Sequence, residues 1–126
     1  MEQVNGIGGI FFKANDPAKL TGWYREHLGI DAKGGFFSFA WREAERSDRM
    51  GRTVWAPFPE DTEYFKPSEA SFMINYRVAN LAQMLEQLRR AGIPITGQTE
   101  DENGRFAWIM DPEGNRIELW EPPAAG

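Results

Sequence analysis

The stretch DPEGNRIELWEPP, residues 111–123, decides how the rest of the chain is read. Asp111, Pro112 and Gly114 make a turn, and the residues after it alternate as a strand does. Ile117 and Leu119 fall on one face, and Arg116, Glu118 and Trp120 on the other. The first face belongs to a core. The second carries a carboxylate, so it is either washed by water or lines a cavity.

Working outward, the run GNRIELWEPP (114–123) echoes GRTVWAPFP (51–59), and FAW at 106–108 echoes FAW at 39–41. The remaining pattern repeats in the same order. IGGIFFKA (7–14) reads as a strand, closed by Asn15, Asp16 and Pro17. An acid before a proline is a helix opening, with Asp16 as cap and Pro17 at the first helical position. Leu20, Trp23, Tyr24 and Leu28 then recur at helical spacing up to Gly29. FFSFAW (36–41) and RTVWAPF (52–58) read as strands around the charged hairpin EAERSDRMG. In the second half SFMINYRV (71–78) is a strand, and Asn80 caps a helix striped with Leu81, Met84, Leu85 and Leu88. Ala91, Gly92 and Ile93 end it as Leu28, Gly29 and Ile30 end the first. Echoes spaced by 63 to 67 residues in constant order mark an internal duplication. The fold expected is α+β, two tandem βαβββ units. Repeats at about 5–58 and 70–123 form a single domain over 1–126, joined by PEDTEYFKPSE (59–69), which reads as a polar surface linker. One unit cannot cover both faces of its sheet. Two units therefore pair, within the chain or between chains, into a curved sheet with helices outside and a cleft within.

Composition bounds the function. The 126 residues carry a net charge of −5, with 41% hydrophobic and 26% charged residues, the profile of a globular domain. There is no cysteine, hence no thiolate metal site and no cysteine nucleophile. Basic residues are scattered apart from short clusters such as Arg89 and Arg90, so no nucleic-acid partner is expected. No segment is apolar enough for a membrane span and no leader is visible, so a cytoplasmic location is expected. Five Trp and nine Phe are many for this length, and rings that do not fill the core can wall a pocket. There is no nucleophile elbow and no paired-histidine motif. GIGG at 6–9 is glycine-rich, but no helix follows it directly, which makes it a weak phosphate signal.

Taken together, GIGGIFFKANDP, WYREHLGI, FMINYRVANL and DPEGNRIELWEP resemble the vicinal oxygen chelate superfamily, over essentially the whole chain. That superfamily includes glyoxalase I, extradiol dioxygenases and the fosfomycin- and bleomycin-resistance proteins. The resemblance implies the glyoxalase/bleomycin-resistance fold and a homodimer. In its enzymes a divalent metal is held by the first and fourth strands of each half. Carried onto this chain, those four positions are Gly9, Thr53, Met73 and Glu118, and only Glu118 matches the enzymes' pattern. Catalytic metals want three or more imidazole or carboxylate ligands, whereas Gly9 offers none, Met73 a thioether and Thr53 a neutral hydroxyl. A shift of two residues brings Phe11, Trp55 and Asn75, which are no better. No cofactor is therefore expected, and a divalent metal enters only if the register is misread.

By alternation the inner faces present Phe11, Lys13, Asn75, Arg77, Arg116, Glu118 and Trp120, while Trp41, Trp55 and Trp108 have no assigned face. Phe11, Asn75, Arg77, Arg116, Glu118 and Trp120 are the candidate ligand-binding residues. Glu118 is also the candidate catalytic group; its structural alternative is an ion pair with Arg116 or another arginine. His27, the only histidine, falls on the outer helix and takes no part. The expected function is a metal-free small-molecule binding protein like the bleomycin-resistance proteins, holding a bulky aromatic or cationic compound. The alternative is a glyoxalase- or dioxygenase-like enzyme (lyase, isomerase or oxygenase) acting on a small oxygenated substrate, with Glu118 as metal ligand or acid/base. A purely structural or regulatory role is the third.

Overall fold

The computed structural model describes residues 1–44 and 46–124. Its elements run β1 (Val4–Ala14), α1 (Pro17–Leu28), β2 (Phe37–Arg42), β3 (Met50–Pro59), β4 (Phe72–Val78), α2 (Leu81–Arg90), β5 (Gly97–Asp101), β6 (Gly104–Met110) and β7 (Arg116–Glu121). Seven strands form one curved mixed sheet in the order β2-β3-β1-β4-β7-β6-β5. The two halves meet within the chain, where β1 runs antiparallel to β4 at the centre of the sheet. Inside each half the first strand pairs in parallel with the last, β1 with β3 and β4 with β7. The second half has four strands and the first has three, with turns instead of a strand between α1 and β2.

The helix ends follow their capping residues. The Asp16 side chain accepts from Lys19 N–H, Pro17 opens α1, and Gly29 closes it in the left-handed region at φ 73°. Asn80 accepts from Gln83 N–H at the start of α2. The two helices differ in what they bury. Leu81, Met84 and Leu85 of α2 pack on Val78, Ala107, Ile109 and Leu119 to form the core, and Ile117 packs against it. No residue of α1 is buried, although its Tyr24 ring lies 4.8 Å from Trp55.

Ile117 and Leu119 thus face α2, which sends Glu118 to the concave side. β1 reaches that side through a bulge, since its register against β4 shifts between Ile7 and Gly9. A Cβ on Gly8 would lie 2.3 Å from Asn75 Oδ1, and one on Gly9 would lie 2.6 Å from the Phe11 ring. Both glycines therefore point into the concavity, where the neighbouring side chains leave no room for a methyl group.

The segment 59–69 departs from the surface linker its polar sequence suggests. Phe65 is fully buried, with its ring 5.3 Å from Phe58, and Tyr64 stacks on Phe58 at 5.7 Å. Phe65 gains more from burial than its charged neighbours need from solvent, so it anchors the segment on the concave face while Tyr64 stays 38% exposed beside it.

Candidate functional site

Glu118 sits at the middle of the concave face and is 2% exposed. Three neutral donors hold it. Asn75 Nδ2 donates to Oε1 at 2.7 Å, while Tyr64 O–H and Trp108 Nε1 donate to Oε2 at 2.5 and 3.0 Å. Strand pairing supplies two of them, since Asn75 lies beside Glu118 on β4 and Trp108 beside it on β6. Tyr64 comes from the 59–69 segment. Burial, followed by the negative charge of Glu118, pushes the Tyr64 hydroxyl above its ordinary pKa of 10.0. The hydroxyl is thereby held as a donor.

Because an ionised carboxylate only accepts, Glu118 fixes the Asn75 amide with its nitrogen toward Oε1. Asn75 Oδ1 is left facing Gly8, buried and without a partner. Arg116 does not pair with Glu118 as one expectation held. Its guanidinium stacks 4.8 Å from the Trp108 ring, and Nη1 donates to the Tyr64 carbonyl. Arg116 thus clamps the segment that carries Tyr64.

Beside this network opens a cleft of about 430 Å³. Phe11, Phe36, Phe106 and Trp120 wall it, with Asn75 and Glu118 at its floor and Arg52 and Glu102 among its polar lining. The Phe106 and Trp120 rings are parallel within 8°. Of the expected ligand-binding residues, Phe11, Asn75, Glu118 and Trp120 share this cleft. Arg116 and Lys13 do not line it, and Lys13 lies 5.9 Å from the Phe65 ring. Arg77 borders a different, smaller cavity. His27 lies on α1, half exposed beside Trp23. Trp55 faces α1, Trp108 faces Glu118, and Trp41 covers Arg77.

Two register assignments need correction. Asn75 pairs with Glu118 in the second half and Gly9 with Val54 in the first, so Val54, not Thr53, is the counterpart of Glu118. Asn75, likewise, takes the place assigned to Met73, which is fully buried beside Phe11. The Thr53 hydroxyl donates to the Ile7 carbonyl and accepts from Trp41 Nε1, which ties three strands together. The two FAW runs are not equivalent either. Ser38 pairs with Val54 where Trp108 pairs with Glu118, because the β2–β3 hairpin is longer than the β6–β7 hairpin.

The sequence profile of the glyoxalase/bleomycin resistance protein/dioxygenase superfamily matches residues 6–119. The chain belongs to that superfamily. A Streptomyces coelicolor methylmalonyl-CoA epimerase variant in complex with 2-nitronate-propionyl-CoA superposes on this superfamily member with a TM-score of 0.67. The two are 15% identical over 97% of this chain and 100% of the epimerase. A Mycobacterium tuberculosis methylmalonyl-CoA epimerase gives 0.58 at 20% identity, over 95% and 89% of the two chains. A catechol 2,3-dioxygenase gives 0.56 at 23%, over 96% of this chain and 42% of its own. No curated protein sequence matches the chain. Likeness at these identities establishes the fold and leaves the reaction to the site itself.

The residues present do not fit a superfamily metal. The corrected positions are Gly9, Val54, Asn75 and Glu118, and among the described residues no three His, Asp or Glu side chains converge. Glu118 already accepts from three protein donors. Binding an ion would leave those donors unpaired in a buried site.

Proposed function

We propose that this chain is a metal-independent small-molecule binding protein, and that its ligand is an aromatic compound held in the cleft between Phe11, Phe106 and Trp120. The observation that carries this reading is the engagement of Glu118 by three protein donors, Asn75, Tyr64 and Trp108. The carboxylate is the organising acceptor of the cleft floor rather than a free group at its surface. Ring stacking supplies the affinity, and a positively charged substituent on the ligand finds Glu102 in the lining.

The same three donors argue against the enzymatic alternative with Glu118 as acid or base. They stabilise the carboxylate as an acceptor, the bond from Tyr64 alone being worth about 1.5–3 kcal/mol, and so oppose its taking up a proton.

Titration of tryptophan fluorescence with planar aromatic amines and with their non-basic analogues tests the proposal. Saturable quenching is expected, weakened roughly tenfold or more by Trp120→Ala, since one stacking contact is worth about 1 kcal/mol or more beyond buried area. Binding unchanged in that variant, or tight binding only after addition of a divalent metal, would sink the reading.

A further inference from the structure

Among the described residues Arg77 is the one buried cation, at 5% exposure. Its guanidinium lies between two indoles, 5.1 Å from Trp41 and 5.9 Å from Trp120. Glycines make room for this packing. A Cβ would come within 2.4 Å of Trp41 on Gly6, within 2.3 Å of it on Gly51, and 3.0 Å from Arg77 Cγ on Gly8. The GIGG run thus serves as the floor on which Arg77 and its rings rest.

The polar atoms of this arginine are under-used. Among the described residues Nε and Nη1 have no hydrogen-bond partner, and Nη2 approaches Glu43 Oε2 only to 3.7 Å. Arg49 Nε reaches the same oxygen at 3.6 Å, so two guanidiniums share the one Glu43 carboxylate among the described residues. Glu121 is committed elsewhere, accepting from Leu81 N–H at 2.8 Å and lying 4.0 Å from Arg105. Burial lowers the pKa of Arg77, opposed by Glu43. A buried cation with idle donors calls for a counter-group.

Arg77, Arg49, Asn5 and the carboxylates Glu43 and Glu121 border a cavity of about 130 Å³, and Glu121 is the one drawn off by Leu81 N–H and Arg105. A water molecule takes about 30 Å³ in the liquid, so the space suits a group of a few heavy atoms. We propose that this cavity binds a small oxyanion, a carboxylate or phosphate, through Arg77 and Arg49. Guanidinium forks match the planar and tetrahedral oxygens of such groups. The two aromatic faces keep the Arg77 cation in place without using the donors that the anion needs.

Thermal unfolding and tryptophan fluorescence, followed against acetate and inorganic phosphate with chloride holding ionic strength constant, test the site. A saturable rise in Tm and a change in indole emission are expected for at least one anion, and the stronger response identifies the class. Arg49→Gln, on a half-exposed side chain, should weaken binding roughly tenfold. Arg77→Gln should abolish it. If Arg77→Gln does not fold, Trp41→Phe with Arg49→Gln decides the matter, because the emission change should diminish in the first, where only Trp120 still reports, and need a higher anion concentration in the second. No saturable response to either anion, or one that Arg49→Gln leaves intact, would show that the arginines serve only Glu43. This outcome is independent of aromatic binding in the larger cleft, which Phe11→Ala reports, since Phe11 lines that cleft and not the Arg77 cavity.

Discussion

The two halves of this molecule descend from one pattern and have been put to different uses. In the second half the paired strands present Asn75, Trp108 and Glu118, a connected polar group on the concave face. The same places in the first half hold Gly9, Ser38 and Val54, which have no carboxylate among them. The helices divide in the same way, since α2 buries Leu81, Met84 and Leu85 while α1 buries nothing completely. One half holds the core and the polar network. The other supplies a glycine floor and, through Phe11 and Phe36, one side of an aromatic wall that Phe106 and Trp120 complete. Duplication preserved the backbone hydrogen bonds, which do not depend on side chains, and left each concave face free to diverge.

The largest test of this contrast is in the helices. Leu85→Ala should cost about 3 kcal/mol, the usual range for a buried leucine, and the matching Leu20→Ala in α1 less than about 1 kcal/mol. Urea unfolding of both variants measures the difference, and equal losses would end the claim that α2 carries the core. Next comes the strand pair. Glu118→Gln should destabilise by about 2 kcal/mol, because an amide cannot accept from all three donors, whereas Ser38→Ala should stay within about 0.5 kcal/mol.

A smaller effect is expected from Tyr64→Phe, about 1.5 kcal/mol, and it carries a pH signature. The Tyr64 hydroxyl has its pKa raised in the folded protein, so the folded state keeps a proton that the unfolded chain loses above the ordinary value of 10.0. Its contribution is complete below that pH and falls as pH rises beyond it. Stability measured between neutral and strongly alkaline pH should decline more steeply in the wild type than in Tyr64→Phe. Parallel curves would mean that the hydroxyl is not bound to Glu118.

Much of this was legible in the chain. Pro17 behind Asp16, Asn80 before Leu81, and the alternation of RIELWE specify elements through interactions a few residues long, and duplication fixed their order. Glu118 stood out because a charge between apolar neighbours is rare in a strand. Register was harder to read. Thr53 and Met73 were placed by counting residues, while a bulge at Gly8 and a longer β2–β3 hairpin moved the true counterparts to Val54 and Asn75. Tyr64 was missed inside a run of charges, where its only signal was the neighbouring Phe65. Glu43 was likewise missed at the edge of a charged hairpin, though it is buried against Arg77.

By itself the sequence determined both helices, most of the strands, the pairing of two similar units and the superfamily, since caps, turns and periodicity are local and are set by short-range sterics and hydrogen bonding. Only the tertiary structure decided what Glu118 touches, which arginine is buried and where segment 59–69 lies. Those facts depend on partners 43 to 54 residues apart, such as Asn75 and Tyr64 on Glu118. Contacts of that range are fixed by packing volume and sheet register, which no spacing along the chain records.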